Sequence, residues 1–493
     1  MKKLLSLLLA MLLVLSLCAC GGAEEESAKS TTAPKETEAA GYEGLQVGFG
    51  RENILPDTMG VQIAGGDAAS RLSDGYLDEV ATTCVAIQEG DQTVLVYTID
   101  LITVDSRVYA AQSYVSGELG IPVENIILNC THTHNGVSIR SDWDGIDQYV
   151  QKFNEACVTA ARQAMEDLSP AEAYYGSTMT ENMVFVRHYL MNDGTTYGNG
   201  HGSTESGYKD HAYPSDGELQ VIKFAREDKK DVVLMNLGAH ATINSASQNA
   251  PNSISADWPY NARTYVEQNS DSLCAVFEAA AGDQIPNSNM KDIDPYGNKY
   301  PEFGNKIGEY CLEVMNGDMT KAQGTGINLK VHKYTAATMK EGTEDIIKVM
   351  RAKELVTLSG QVGGYSKPEV TAKVQEYGFN YYLEASGLAS RDAYPETYSM
   401  SLHLLTVDGM SFIFAPFEMF GVTGREIKDN SPYDMTFVIT CSENEGGHMG
   451  YLPHLYACEE SFYEYDVTKF ARGTAEDLAV TYVALLNEMK NAN

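Results

Sequence analysis

In NIILNCTHTHNG, residues 125–136, two histidines stand one residue apart directly behind an apolar run. Imidazole binds zinc and carries protons near neutral pH, so His132 and His134 form either part of a metal site or a polar loop. If strand geometry continues through Cys130, the i, i+2 spacing turns both rings to one face. Other potential ligands follow β-rich runs in the same way: His240 after VVLMNLGA, Glu418 after FIFAP, and the segment SENEGGHMGY, residues 442–451, after TFVITC. In open α/β sheets, ligands gather beyond the carboxyl ends of strands. Two imidazoles joined by a distant histidine and a carboxylate suit tetrahedral zinc. His448 and His454 bracket Tyr451 and compete for a place in such a set, but read as loop residues.

The elements that must position these groups alternate along the chain. Residues 92–104 are β-rich, 106–120 have helical spacing and 124–130 are β-rich again, a βαβ unit with two parallel strands. A second amphipathic helix is predicted over 149–168. LQVIKFARE and DVVLMNLGAH form one hairpin, and SLHLLTV and MSFIFAPFE form another around Asp408-Gly409, a strong turn signal. TFVITC and a helix over 475–489 close the chain, and Asp257-Trp258-Pro259 starts a further helix with proline in its first turn. The fold class expected is α/β, with mixed β-sheets and flanking helices.

Five blocks, THTHNG (131–136), GAHAT (238–242), AAGDQIPN (280–287), PFE (416–418) and GGHMGYLP (446–453), resemble in order the motifs of the neutral and alkaline ceramidases, zinc enzymes that hydrolyse the amide of N-acylsphingosine. The resemblance spans the chain from about Val47 onward. It implies the catalytic-domain fold of that family, with Zn2+ held by His132, His240, Glu418 and Tyr451. It further implies that His134 faces water or the amide and shuttles the proton, that Arg187 in NMVFVRHY polarises the scissile carbonyl, and that Tyr463 is a second donor to the oxyanion. Asp283 and Asn287 are expected to shape the loop beside the site. Two departures stand out. Ile285 occupies the serine position of the family's GDxSPN motif, and isoleucine neither attacks nor hydrogen-bonds. With an essential serine nucleophile this chain would be inactive or act differently, whereas attack by zinc-bound hydroxide survives the change. The family's C-terminal β-sandwich domain is also expected to be absent.

Composition narrows the setting. Residues 1–20 carry a cationic start at Lys2 and Lys3, an apolar stretch and small residues, the pattern of an export signal. Cys20, preceded by a small residue and followed by two glycines, is the expected lipidation site. Residues 21–43 lack the apolar groups needed to fold and form a tether; residues 44–493 form the zinc hydrolase domain. An extracytoplasmic, membrane-anchored surface lipoprotein is therefore expected, acting on a small N-acyl amide, with no protein partner. A formal charge of −33 argues against nucleic-acid binding. Seven cysteines beyond Cys18 and Cys20, scattered and without CxxC, are expected in the core. Two alternatives remain: a barrel-type metal amidohydrolase, and a non-catalytic extracellular binding lipoprotein that retains the fold.

Overall fold

The computed structural model describes residues 44–65, 71–198, 207–246, 250–286, 299–324, 326–445, 447–460 and 462–492. The export signal, Cys20, the tether and Asn287 lie outside the described residues.

Period-two alternation builds the centre of the molecule. In Gln92–Ile99, Val94 and Val96 enter one apolar cluster while Leu95, Tyr97 and Ile99 enter another. In Asp231–Leu237, Val232 and Leu234 join the first cluster, and Val233, Met235 and Leu237 face the opposite way. The strand Met410–Phe414 sends Met410, Phe412 and Phe414 into that same first cluster. The shared cluster is therefore the seam between two sheets. The larger sheet runs in the order Ser272–Glu278, Asp231–Leu237, Glu218–Arg226, Ser169–Met179, Gln46–Asn53, Ala81–Glu89, Gln92–Ile99, Ile126–Ile127. The smaller runs Ile327–Ala337, Thr397–Val407, Met410–Phe414, Thr436–Ile439.

Helices cover the outer faces. Ile146–Glu166 and Ala111–Leu119 pack on one end of the larger sheet, Trp258–Asn269 and Tyr300–Asn316 on the other, and Thr474–Ala492 on the smaller sheet. The approach of Ile146–Glu166 explains the GFG of the first strand. A Cβ on Gly48 would lie 1.9 Å from the Ala164 carbonyl oxygen, and one on Gly50 would lie 2.0 Å from that of Ala160. Phe49, between them, fills the seam.

The expected elements are present. Gln92–Ile99 and Ile126–Ile127 are parallel, with Leu95 opposite Ile126, and the intervening helix is split into Ser106–Tyr109 and Ala111–Leu119. Both hairpins form, the second with Asp408 and Gly409 at φ 46° and 80°. Asp257 caps Trp258–Asn269 by accepting the Trp258 N–H. The seven core cysteines are buried and free. The larger sheet is open-edged and mixed, which excludes the barrel alternative. One unit went unread in the sequence: helices Ile346–Val362, Pro368–Glu376 and Tyr382–Ala393, inserted between two strands of the smaller sheet, enclose their own core around Val349, Leu355, Val370 and Leu388.

Candidate metal centre

Strand ends from both sheets converge on one place. The Cys130 N–H donates to Cys441 O (3.2 Å), the Thr440 N–H to Glu278 O (3.0 Å) and the Cys441 N–H to Phe417 O (3.0 Å). The loops that follow carry the histidines and carboxylates, and their backbones are stitched in series. His134 N–H donates to Ala241 O (3.0 Å), Gly282 N–H to Met419 O (2.7 Å) and Glu418 N–H to Gly450 O (3.0 Å). A side chain at Gly282 would put its Cβ 2.4 Å from Glu418 O, so glycine permits this approach.

The i, i+2 expectation for the histidine pair is corrected. Regular pairing ends at Ile127, with only isolated bridges at Asn129 and Cys130, and His132 has a left-handed φ of 59°. Such a conformation costs an L-residue roughly 1 kcal/mol or more and persists where its surroundings impose it. The two rings still meet, but through a turn: their Nε2 atoms are 3.3 Å apart and the rings lie edge to face.

Backbone carbonyls fix the tautomers. His132 Nδ1 lies 2.7 Å from Ile102 O, and His240 Nδ1 lies 2.6 Å from Ala281 O and 3.1 Å from Gln284 O. A carbonyl only accepts, so each Nδ1 carries hydrogen and the Nε2 of each neutral ring presents a lone pair. Both lone pairs face Glu418 Oε2, at 3.3 Å from His132 and 3.5 Å from His240. His240 Nε2 and Glu418 Oε2 are buried without a hydrogen-bond partner. Three acceptors turned toward one point repel one another unless a cation lies between them. This donor set, two imidazole nitrogens and a carboxylate oxygen, fits zinc.

The electrostatics state the same demand. Burial lowers His132, but Glu278 and Glu418 outweigh it and push the ring up to about 9. Burial would raise Glu418, yet His132 and its other histidine partners hold it well below the usual carboxylate range. Burial brings His240 down to about 4, and it also drives His134 well below its ordinary value, with His132 and His240 adding to the effect. The cluster accepts one positive charge, and a metal ion or a proton on His132 meets that need.

The remaining expected residues are close by. Tyr451 pairs with Glu418 in a two-stranded parallel ladder, which puts it beside the carboxylate. The Arg187 guanidinium carbon lies 5.4 Å from the Tyr451 ring centroid and 5.7 Å from that of Tyr463, and those two rings are 5.5 Å apart. Asp283 receives the Gly421 N–H (2.8 Å) and the Tyr456 hydroxyl (2.7 Å), as a loop-shaping residue should. Ile285 pairs with Phe185 in a short strand, and Gln284 O contacts His240. His134 is the partly exposed member of the histidine trio, whereas His132 and His240 are buried.

Two solved structures share this architecture. The neutral ceramidase from Pseudomonas aeruginosa is 16% identical with a TM-score of 0.66, covering 91% of this chain and 75% of its own. The fold is that of the neutral ceramidases. A ceramidase complexed with C2 gives 16% identity and a TM-score of 0.68, covering 92% of this chain and 76% of its own. No family model and no curated protein matches the sequence. Within the neutral-ceramidase fold, the five short blocks that carried the sequence resemblance all have described residues in the stitched loops around Glu418.

Sequence reasoning missed several contributors. His448, weighed as a competing ligand but read as a loop residue, is half-buried with Nε2 3.1 Å from Glu418 Oε1. Its place between Gly447 and Tyr451, inside a matched block, was the available signal. His454, by contrast, caps helix Leu455–Glu459 and pairs with Glu476 (3.2 Å), as a structural residue. Glu278 and Cys441 lie behind His132 and form a second ligand-type group with it. Glu464 pairs with Arg187 (2.6 Å) and His188 (3.0 Å); neither segment advertises the other.

Proposed function

We propose that this protein is a zinc-dependent amidohydrolase that cleaves the amide of an N-acyl, ceramide-like substrate, releasing a carboxylic acid and a free amine. The convergence of His132 Nε2 and the unpartnered His240 Nε2 on Glu418 Oε2 carries the proposal. In it, His132, His240, Glu418 and Tyr451 hold the ion. Bound zinc supplies Lewis acidity that polarises a carbonyl and acidifies water. His134, at the open edge of the cluster, takes the proton from the attacking water and delivers it to the leaving nitrogen. Arg187 and Tyr463 donate to the oxygen that gains charge as the carbonyl becomes tetrahedral, the contribution that is usually largest in acyl transfer. Ile285 leaves no hydroxyl at its position, consistent with attack by water.

The test is metal analysis of the purified body with two variants and a panel of ceramides, N-acyl amino acids and simple fatty amides. One zinc per chain is expected, lost in Glu418→Ala. His134→Ala should keep zinc and lose turnover, while zinc loss in that variant would make His134 a ligand in place of Tyr451. A zinc-free, inactive wild type would favour the non-catalytic binding protein. The proposal also places the body outside the cytoplasm on a lipid at Cys20. Metabolic labelling with a fatty acid should mark the wild type and leave Cys20→Ala unmarked.

A further inference from the structure

Arg187 and His188 are consecutive residues beside the metal cluster, and both turn onto one carboxylate. The Arg187 Nε–H donates to Glu464 Oε1 at 2.6 Å, and His188 Nε2 lies 3.0 Å from Oε2. Arg187 Nη2 donates in addition to Gly282 O at 2.8 Å. All three side chains are sealed from water: 7% of the arginine is exposed and none of the histidine or glutamate. A buried charge pair is seldom retained for stability alone, because desolvation offsets most of the attraction. What this one secures is direction. With Nε on Glu464 and Nη2 on Gly282 O, the remaining guanidinium edge is fixed over the rings of Tyr451 and Tyr463.

Glu464 sits in the short helix Tyr463–Val467, directly after Tyr463. That helix is gripped from the other side by Tyr382–Ala393 of the inserted helical unit. Arg391 Nη2 donates to Tyr465 O (2.6 Å) and Asp466 O (3.0 Å), and a Cβ on Gly387 would lie 2.0 Å from Asp466 O. One carboxylate thus connects the bend at Arg187, between strands Phe185–Val186 and His188–Met191, with the helix bearing Tyr463 and, through that helix, the insertion.

We infer that Glu464 is the positioning residue that holds Arg187 and Tyr463 in register as a paired oxyanion-binding face, resting on the amidohydrolase assignment above. It touches no substrate and acts through Arg187.

The test uses Glu464→Gln, which keeps an acceptor for the Arg187 Nε–H, and Glu464→Ala, which does not. On the best amide of the substrate panel, kcat should fall about tenfold in E464Q and about a hundredfold in E464A, with KM within about twofold and zinc content unchanged. In an Arg187→Ala background the E464A loss should largely vanish, because the two residues act as one unit. Unchanged kcat in both Glu464 variants, or losses that multiply with R187A, would overturn the inference. A second readout needs no turnover: phenylglyoxal labelling followed by mass spectrometry should leave Arg187 protected in the wild type and modify it in E464A. Continued protection in E464A refutes the inference whatever the substrate, whereas a wild type with protected Arg187 and no amide turnover counts against the amidohydrolase assignment alone.

Discussion

Glu418 is the residue on which the centre turns. Its Oε2 faces His132 and His240, and its Oε1 meets His448. Removing the carboxylate by Glu418→Ala should abolish metal binding, as measured by elemental analysis. Removing His448 should act more gently. A residue that orients a ligand without binding the ion typically contributes 10–100-fold in metal affinity. His448→Ala should therefore keep its zinc at saturation while losing it to a chelator at about tenfold lower chelator activity; full retention would show that Oε1 needs no partner. At this scale the sequence was informative wherever chemistry and local pattern coincide, as in His132 and His240 behind apolar runs. Tyr451 became visible only through a matched block. Glu464 stayed hidden because its partners stand 277 and 276 positions away and nothing local marks a buried carboxylate.

Among the elements, strands and punctuated turns were legible because burial on both faces writes short continuous apolar runs into the sequence, as in Gln92–Ile99 and Asp231–Leu237, with turn residues between them. The glycines of the first strand belong to the same logic, and they give a direct test. Gly48→Ala must push the Ala164 carbonyl away, since the new Cβ would sit 1.9 Å from it. Overpacking of this kind costs about 1–3 kcal/mol, and a urea titration should show that loss with the slope unchanged. Gly387→Ala should act differently, displacing helix Tyr463–Val467 through the Asp466 carbonyl, and so lower kcat while leaving zinc in place. An unaltered kcat would separate the insertion from the site. The insertion escaped the sequence reading for a physical reason: its first helix buries little beyond Val349, Ala352, Leu355 and Ser359, and leaves Ile346, Ile347 and Met350 exposed, so apolar residues do not mark one face.

For the molecule as a whole, stability should respond to pH through buried acids at the junction between layers. Asp257 is fully buried where helix Trp258–Asn269 begins, and burial raises it from its ordinary 3.8 to about 7 despite the N–H bonds it accepts. Between those values the folded chain binds a proton that the unfolded chain does not. This contribution is complete below about 4, declines as pH rises and is lost above about 7. Wild type should therefore lose stability relative to Asp257→Asn between pH 5 and pH 8 by urea midpoints, values chosen to span about 7; a constant difference would refute the shift. The stitched loops of the centre have a further consequence, one of timing. The proposed metal ligands come from segments that begin at His132 and finish at Tyr451, and the backbone bond from Glu418 to Gly450 closes the set. While a chain is still emerging, its histidines have no carboxylate to complete them. On the proposed metal site, capture would then be a final event of biogenesis, after the last strands have arrived, and the ion available at that moment would be the one retained.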